Sequence, residues 1–193
     1  MTGREQLAQP PRSSMRSDAE QNRARILAVA RAALAESGEA TLSSIAKLAG
    51  VGQGTMYRHF PTREVLLLAV YRQDVQAVIY AAPALLAAHP PDEALRLWFD
   101  RLASYGRIKH GLADALEAAT RADLSGEYYH QVAGAITLLL QACQQAGAVR
   151  QDVDADEVLL LVGFLWRIDN TDWELRSRHL LDLVMDSLRP QPG

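Results

Sequence analysis

Within seven residues, from Gln53 to His59, the chain places an amide, a hydroxyl, a phenol, a guanidinium and an imidazole, on Gln53, Thr55, Tyr57, Arg58 and His59. Such groups meet base edges and phosphates. A glutamine amide pairs with adenine N6 and N7, a threonine methyl meets the thymine methyl, and arginine serves guanine or a phosphate. Catalysis finds less support. The five histidines, His59, His89, His110, His130 and His179, are scattered, and no HExxH, glycine-rich phosphate loop after a strand or nucleophile elbow is present. Cys143 is the single cysteine, so an intrachain disulfide and a cysteine-built metal site are excluded, and the residue reads as a small apolar filler on a helix. Neither a metal nor a cofactor is expected.

Two short helices joined by a tight turn must carry these groups. Over Thr41 to Phe60, TLSSIAKLAGVGQGTMYRHF, Ile45, Ala46, Leu48 and Ala49 give the first helix an apolar face, and Met56 with Phe60 gives the second an i, i+4 apolar pair. Gly50 and Val51 make the turn, where a residue without Cβ takes positive φ at little steric cost. The polar groups then project away from Met56 and Phe60, which is the layout of a helix-turn-helix. Thr41 or Ser43 can cap the first of the two helices, and either hydroxyl there is placed to touch a phosphate. Upstream, Ser17 and Glu20 fit a capping box, and Ile26, Leu27, Ala30, Ala33 and Leu34 recur on one face until Gly38 ends the helix.

From Arg23 to Leu66 the chain resembles the N-terminal DNA-binding domain of the TetR (tetracycline-repressor) family. RILAVA, Gly38, IAKLAGV, GTMYRHF and TREVLL carry the likeness, which spans about a quarter of the chain. The chain departs from the family's habit at Glu39, Gly52 and Arg63, where an aromatic, a serine and a lysine are common. Glycine is still an acceptable cap and arginine still binds phosphate. The resemblance implies DNA contact by Thr41, Ser43, Gln53, Gly54, Thr55, Tyr57, Arg58, His59 and Arg63, with Tyr57 and His59 serving phosphates. It also implies an all-α chain: an N-terminal three-helix helix-turn-helix domain, then a helical ligand-binding and dimerisation domain.

Composition is compatible with that plan. The 193 residues are 49% hydrophobic and 22% charged, as in a soluble globular protein of one large or two small domains. The formal charge of −3 is unevenly spread: residues 1–64 hold nine Arg or Lys against six acids, a net of +3, which leaves −6 for the remainder. A basic end on an acidic body suits a DNA reader with a separate regulatory part. No signal peptide is apparent, and the longest apolar run, Val158 to Trp166, falls short of the roughly 20 residues that span a bilayer. A cytoplasmic protein without membrane contact is expected.

Organisation is read as a disordered tail over 1–16, rich in Pro and Arg and either trailing along DNA or merely solvated, a DNA-binding domain over 17–62 and a regulatory domain over 63–193. A fourth helix is predicted from Arg63, with Thr62 as its cap, to about Ala88, interrupted near Pro83. It would link reading head to body. Further helices are predicted from Asp92 to about Lys109, Leu112 to Ala119, Gly126 to Ala146, Val158 to Trp166 after Asp154 and Glu157, and after a Thr171–Glu174 capping box.

Trp98, Phe99, Leu102, Tyr105, Leu116 and Tyr129 can line a pocket for an unknown small-molecule effector, with Arg101, Tyr128 or His130 holding its polar end, or can simply be core. The last two helices are apolar on several sides. A central core position within a monomer could explain that, but the better account is that Leu161, Leu165, Trp173, Leu180, Leu181, Val184 and Leu188 pair with a second copy as a four-helix bundle, as the resemblance also implies. The leading expectation is a ligand-responsive repressor, a homodimer on a palindromic double-stranded DNA operator. An activator or a regulator answering a protein partner fits the same residues, and an enzyme or ligand-storage protein with an incidental helix-turn-helix fits them less well.

Overall fold

A computed structural model of the chain describes residues 12–36, 40–113, 118–166, 168 and 172–190, and among these there are helices and no strands. The chain divides into two compact units between Leu66 and Leu67, four residues later than the sequence boundary at 62.

In the first unit, α1 spans Arg12–Glu36, α2 Leu42–Leu48 and α3 Gln53–His59. Helix α1 starts earlier than expected, so Ser17 lies inside it and the proposed Ser17–Glu20 capping box is not its start. Nothing in RSSMR breaks a helix, and the prolines lie upstream of Arg12. Residues 12–16 are thus helix and not tail; residues 1–11, Gly38 and Glu39 lie outside the described residues. Ile26, Leu27 and Ala30 of α1, Leu42, Ile45 and Ala46 of α2, and Met56 and Phe60 of α3 are buried. The Arg23 guanidinium lies 5.4 Å from the centre of the Phe60 ring, a cation–π contact that adds to this core.

Helix α4, Arg63–Ala88, begins on Thr62, whose hydroxyl accepts from the Val65 N–H at 3.3 Å. The helix runs through Pro83 without the expected interruption. One proline removes one main-chain hydrogen bond. Ala81, Ala82 and Leu85, buried on either side of it, supply packing that holds the helix across the gap. By length and composition α4 is apolar enough to cross a membrane, but half of its most apolar stretch is buried within the fold, as in a core helix.

The second unit continues with α5 (Pro91–Ala113), α6 (Ala118–Gln145), α7 (Ala155–Leu161) and α8 (Trp173–Ser187). Helix α6 begins at Ala118, earlier than the expected Gly126; of the segment expected as a separate short helix, Leu112 and Ala113 belong to α5, Ala118 and Ala119 to α6, and residues 114–117, Leu116 among them, lie outside the described residues. Helix α5 is central, touching α6, α8 and the 3₁₀ turn that follows α7. Its inner face, Leu95, Trp98, Phe99 and Leu102, is wholly buried. Helix α6 ends at Gln145 and is closed by Gly147, φ 69°, in a Schellman arrangement: Ala148 N–H donates to Cys143 O at 2.9 Å and Gly147 N–H to Gln144 O at 3.1 Å. The Gln144 amide then holds the following loop by donating to the carbonyls of Arg150 and Val153.

Asp154 and Glu157, expected only to begin the helix, form a capping box at the start of α7, each side chain accepting the other's main-chain N–H. The run Val158–Trp166 is not one helix. It tightens at Val162 into a 3₁₀ turn ending at Trp166, as helix C-termini often do. For α8 the N-cap is Asp172, with no side-chain cap bond, and Thr171, the expected cap, lies outside the described residues.

Candidate nucleic-acid interface and effector region

The turn between α2 and α3 is built as its glycine demands. Gly50 has φ 64°, Val51 N–H donates to Ala46 O at 3.0 Å and Gly50 N–H to Lys47 O at 3.2 Å, a second Schellman arrangement. Gly52 caps α3 in extended conformation without a side-chain bond. Met56 and Phe60 anchor the helix inward, so Gln53, Gly54, Tyr57 and Arg58 face solvent while Thr55 and His59 are half-buried. The polar face predicted from spacing is open.

Helix α2 shows which hydroxyl caps. Thr41 Oγ1 accepts the Ser44 N–H at 3.2 Å, and Ser44 Oγ accepts the Thr41 N–H at 3.1 Å. This reciprocal box was not visible in the sequence because serine at the third helical position is a weaker sign than Glu or Gln. Ser43, free of capping, accepts a hydrogen bond from Gln53 Nε2 at 2.9 Å. Arg58 Nε donates to the Gly54 carbonyl one turn earlier at 3.1 Å, so the guanidinium lies along the exposed face of α3. Arg63 is half-buried, and its Nε donates to Ala40 O at 3.3 Å, bracing the start of α4 against the residue before α2's cap. Lys47, in the last turn of α2, is a further exposed cation that the sequence reading passed over; its place beside the turn was the available signal.

In the second unit the aromatic candidates separate. Trp98, Phe99, Leu102 and Tyr105 are buried, and the Tyr71 ring lies between Tyr105 at 5.5 Å and Tyr128 at 6.3 Å. Burial, the neighbouring Tyr71 phenol with its hydrogen bond, and the nearby Asp74 carboxylate push the Tyr105 hydroxyl far above its ordinary range, so it stays protonated. Tyr129 does not join them. It is 46% exposed and donates to Asp156 at 2.9 Å, because successive residues of a helix point about 100° apart and Tyr128 takes the inward position. Arg101 and His130 are also exposed. An open groove of about 360 Å³ between α6 and the start of α7 is lined by Thr137, Leu140, Gln141, Gln144 and Val153, and by none of the predicted pocket residues.

The residues expected to pair with a second copy divide likewise. Leu165, Trp173, Leu181, Val184 and Leu188 are buried within this chain and Leu180 is half-buried, so of the seven only Leu161 is exposed. A side chain consumed by its own core offers no surface. Leu160 at 81% exposure, Leu175 at 76% and Leu183 are the apolar residues of α7 and α8 left outward, together with Leu161.

A glycine turn, a braced second helix and an exposed polar third, attached to a helical body, define a helix-turn-helix DNA-binding regulator. Residues 26–70 match the tetR family of bacterial regulatory proteins, and residues 90–190 match the C-terminal domain of SbtR-like transcriptional regulators. The HTH-type transcriptional repressor Rv1474c of Mycobacterium tuberculosis is 30% identical over 177 residues, 86% of this chain and 92% of its own. The TetR transcriptional regulator SCO0520 of Streptomyces coelicolor superposes with a TM-score of 0.77 at 40% identity, over 88% of this chain and 99% of that one. A TetR transcription regulatory protein from Mycobacterium vanbaalenii gives 0.71 at 35% identity, over 91% and 99%. The chain belongs to the TetR family and is a DNA-binding transcription regulator.

Proposed function

We propose that the protein is a cytoplasmic repressor that binds a palindromic operator as a homodimer and leaves it when a small molecule enters the helical unit. The observation that carries the DNA-reading part is the exposed polar face of α3 over a buried Met56–Phe60 anchor. Thr41, Ser43 and Arg63 flank that face and support it at the phosphates, beside Gln53, Gly54, Thr55, Tyr57, Arg58 and His59. Two-fold symmetry then asks for inverted half-sites about one helical turn or somewhat more apart. The effector is assigned to the helical unit near Trp98, Phe99, Leu102 and Tyr105, whose buried apolar side chains lie with the rings of Tyr71 and Tyr128. No catalytic step is assigned. The M. tuberculosis relative's name as a repressor favours repression over activation.

An effector releases DNA only if it binds the released form more tightly than the bound one. The test has two arms. In gel shifts on a symmetric operator, the double variant Tyr57→Ala, Arg58→Ala should lose specific binding by about 100-fold or more, on the order of two contacts at 1–3 kcal/mol each; unchanged affinity refutes the contact face. In a thermal-shift screen of metabolites, a compound that raises Tm should also dissociate the operator complex. Stabilisation without release refutes ligand-responsive repression.

A further inference from the structure

The Gln53 side chain is held before any DNA arrives. Its Nε2 donates to Ser43 Oγ at 2.9 Å across the turn, ten residues apart in the chain, and both residues are exposed. Thr41 and Ser44 complete the cap of α2 between themselves, which leaves the Ser43 hydroxyl to the amide. Gly52, the N-cap of α3, has no side chain to hold Gln53 in its place.

We infer that Ser43 is a positioning residue for base reading, orienting the Gln53 amide so that α3 presents a donor and an acceptor matched to adenine. The inference rests on α3 being the helix that enters the major groove. A primary amide has two N–H donors and one carbonyl oxygen. Ser43 takes one N–H, and the other N–H remains beside Oε1. Adenine alone offers the complementary pair, an N7 acceptor next to an N6–H donor; guanine offers two acceptors. With the amide turned over, Oε1 would accept from Ser43, and the donor and acceptor would face the base in the reverse order, out of register with adenine N7 and N6. Ser43 decides between the two. When its own proton goes to a backbone phosphate, only its lone pairs face Gln53, and the adenine-reading orientation is enforced. A phosphate contact that carries no sequence information by itself thereby sets the specificity of its neighbour.

The test is selection of bound duplexes from a randomised pool by the full-length protein, compared among wild type, Ser43→Ala, Ser43→Thr, Gln53→Ala and the Ser43→Ala, Gln53→Ala double variant. Wild type should prefer adenine at one position of each half-site by roughly 5- to 150-fold, the discrimination of one bidentate pair. Gln53→Ala should flatten that position. Ser43→Ala should reduce the preference there by about 2- to 10-fold, the worth of one hydrogen bond, leave the other positions in rank, and have no effect there once Gln53 is alanine. Ser43→Thr should restore it. A merely structural role for Ser43 would weaken all positions together. That result, an unaltered adenine preference in Ser43→Ala, or guanine at the Gln53 position, overturns the inference. If Gln53→Ala changes no position while others remain selective, α3 reads DNA without Gln53 and the inference fails alone. If no position is selected by wild type, the DNA-reading assignment of α3 fails and takes the inference with it.

Discussion

Trp98 donates its indole N–H to the main-chain carbonyl of Val78 at 2.9 Å, tying the middle of α5 to α4 at a point where both residues are buried. The bond satisfies the only polar atom of a wholly buried side chain, so the ring contributes its apolar area without a desolvated donor. Trp98→Phe should lower the unfolding free energy by about 1–3 kcal/mol through the lost bond and volume, and Trp98→Ala by about 3–5 kcal/mol. Urea denaturation followed by circular dichroism checks both. A loss below about 0.5 kcal/mol for the alanine variant would mean that α5 is not the centre of that core.

Gly50 and Gly54 predict opposite outcomes for the same substitution. Gly50 has φ 64°, where a Cβ is strained even though nothing crowds it, so Gly50→Ala should destabilise by about 1–2 kcal/mol. Gly54 sits in α3 with room for a Cβ, whose nearest neighbour is an Arg58 Nη at 3.9 Å, so Gly54→Ala should stabilise by up to about 0.5–1 kcal/mol. That methyl would stand on the exposed face of α3 and weaken operator binding. Thermal melts read the first effect and gel shifts the second. A Gly54→Ala protein of higher Tm and undiminished affinity would remove Gly54 from the contact surface.

Cys143 is fully buried, its sulfur lies 3.1 Å from the Pro91 carbonyl, and burial with a smaller contribution from Asp92 pushes the thiol up to about 11. The folded chain therefore keeps a proton that the unfolded chain releases from about pH 9, so stability from this group is intact below pH 9 and lost as pH rises towards 11. The slope is at most about 1.4 kcal/mol per pH unit. Comparing urea midpoints of wild type and Cys143→Ala between pH 8 and about pH 11 isolates it, the variant lacking that part of the decline. Iodoacetamide at pH 8 should modify the native thiol on the order of 100-fold more slowly than the unfolded one. Equal rates would contradict its burial.

The DNA-reading unit was largely legible because its constraints are local. Gly50 requires a positive φ, and Met56 with Phe60 shares one helix face over a single turn, so residue type and spacing were enough. The body was less so. Pro83 reads as a break, yet burial of Ala82 and Leu85 around it carries α4 through, a tertiary effect invisible in the local sequence. Tyr129 reads as pocket lining and Tyr128 as a holder of the polar end, yet Tyr128 is the one that turns inward, onto Tyr71. The Ser43–Gln53 bond joins residues from two helices whose facing depends on the turn between them, and no periodicity reports it.

The same limitation governs the dimer, because an apolar side chain looks alike whether its cover comes from its own chain or from a second copy. Leu181 and Val184 are covered internally, whereas Leu175 and Leu183 of α8 and Leu160 and Leu161 of α7 are exposed. Exposed leucines on two helices are candidates for the surface that a second copy would cover. Leu175→Glu with Leu183→Glu should leave the far-ultraviolet circular dichroism unchanged and shift sedimentation to the monomer, with operator affinity falling because the two reading helices are no longer linked. Leu181→Ala should instead cost about 2–5 kcal/mol of stability. Were the double glutamate variant to sediment as a dimer, the outward leucines would not be the interface, and pairing would have to use surface contributed elsewhere in the helical unit.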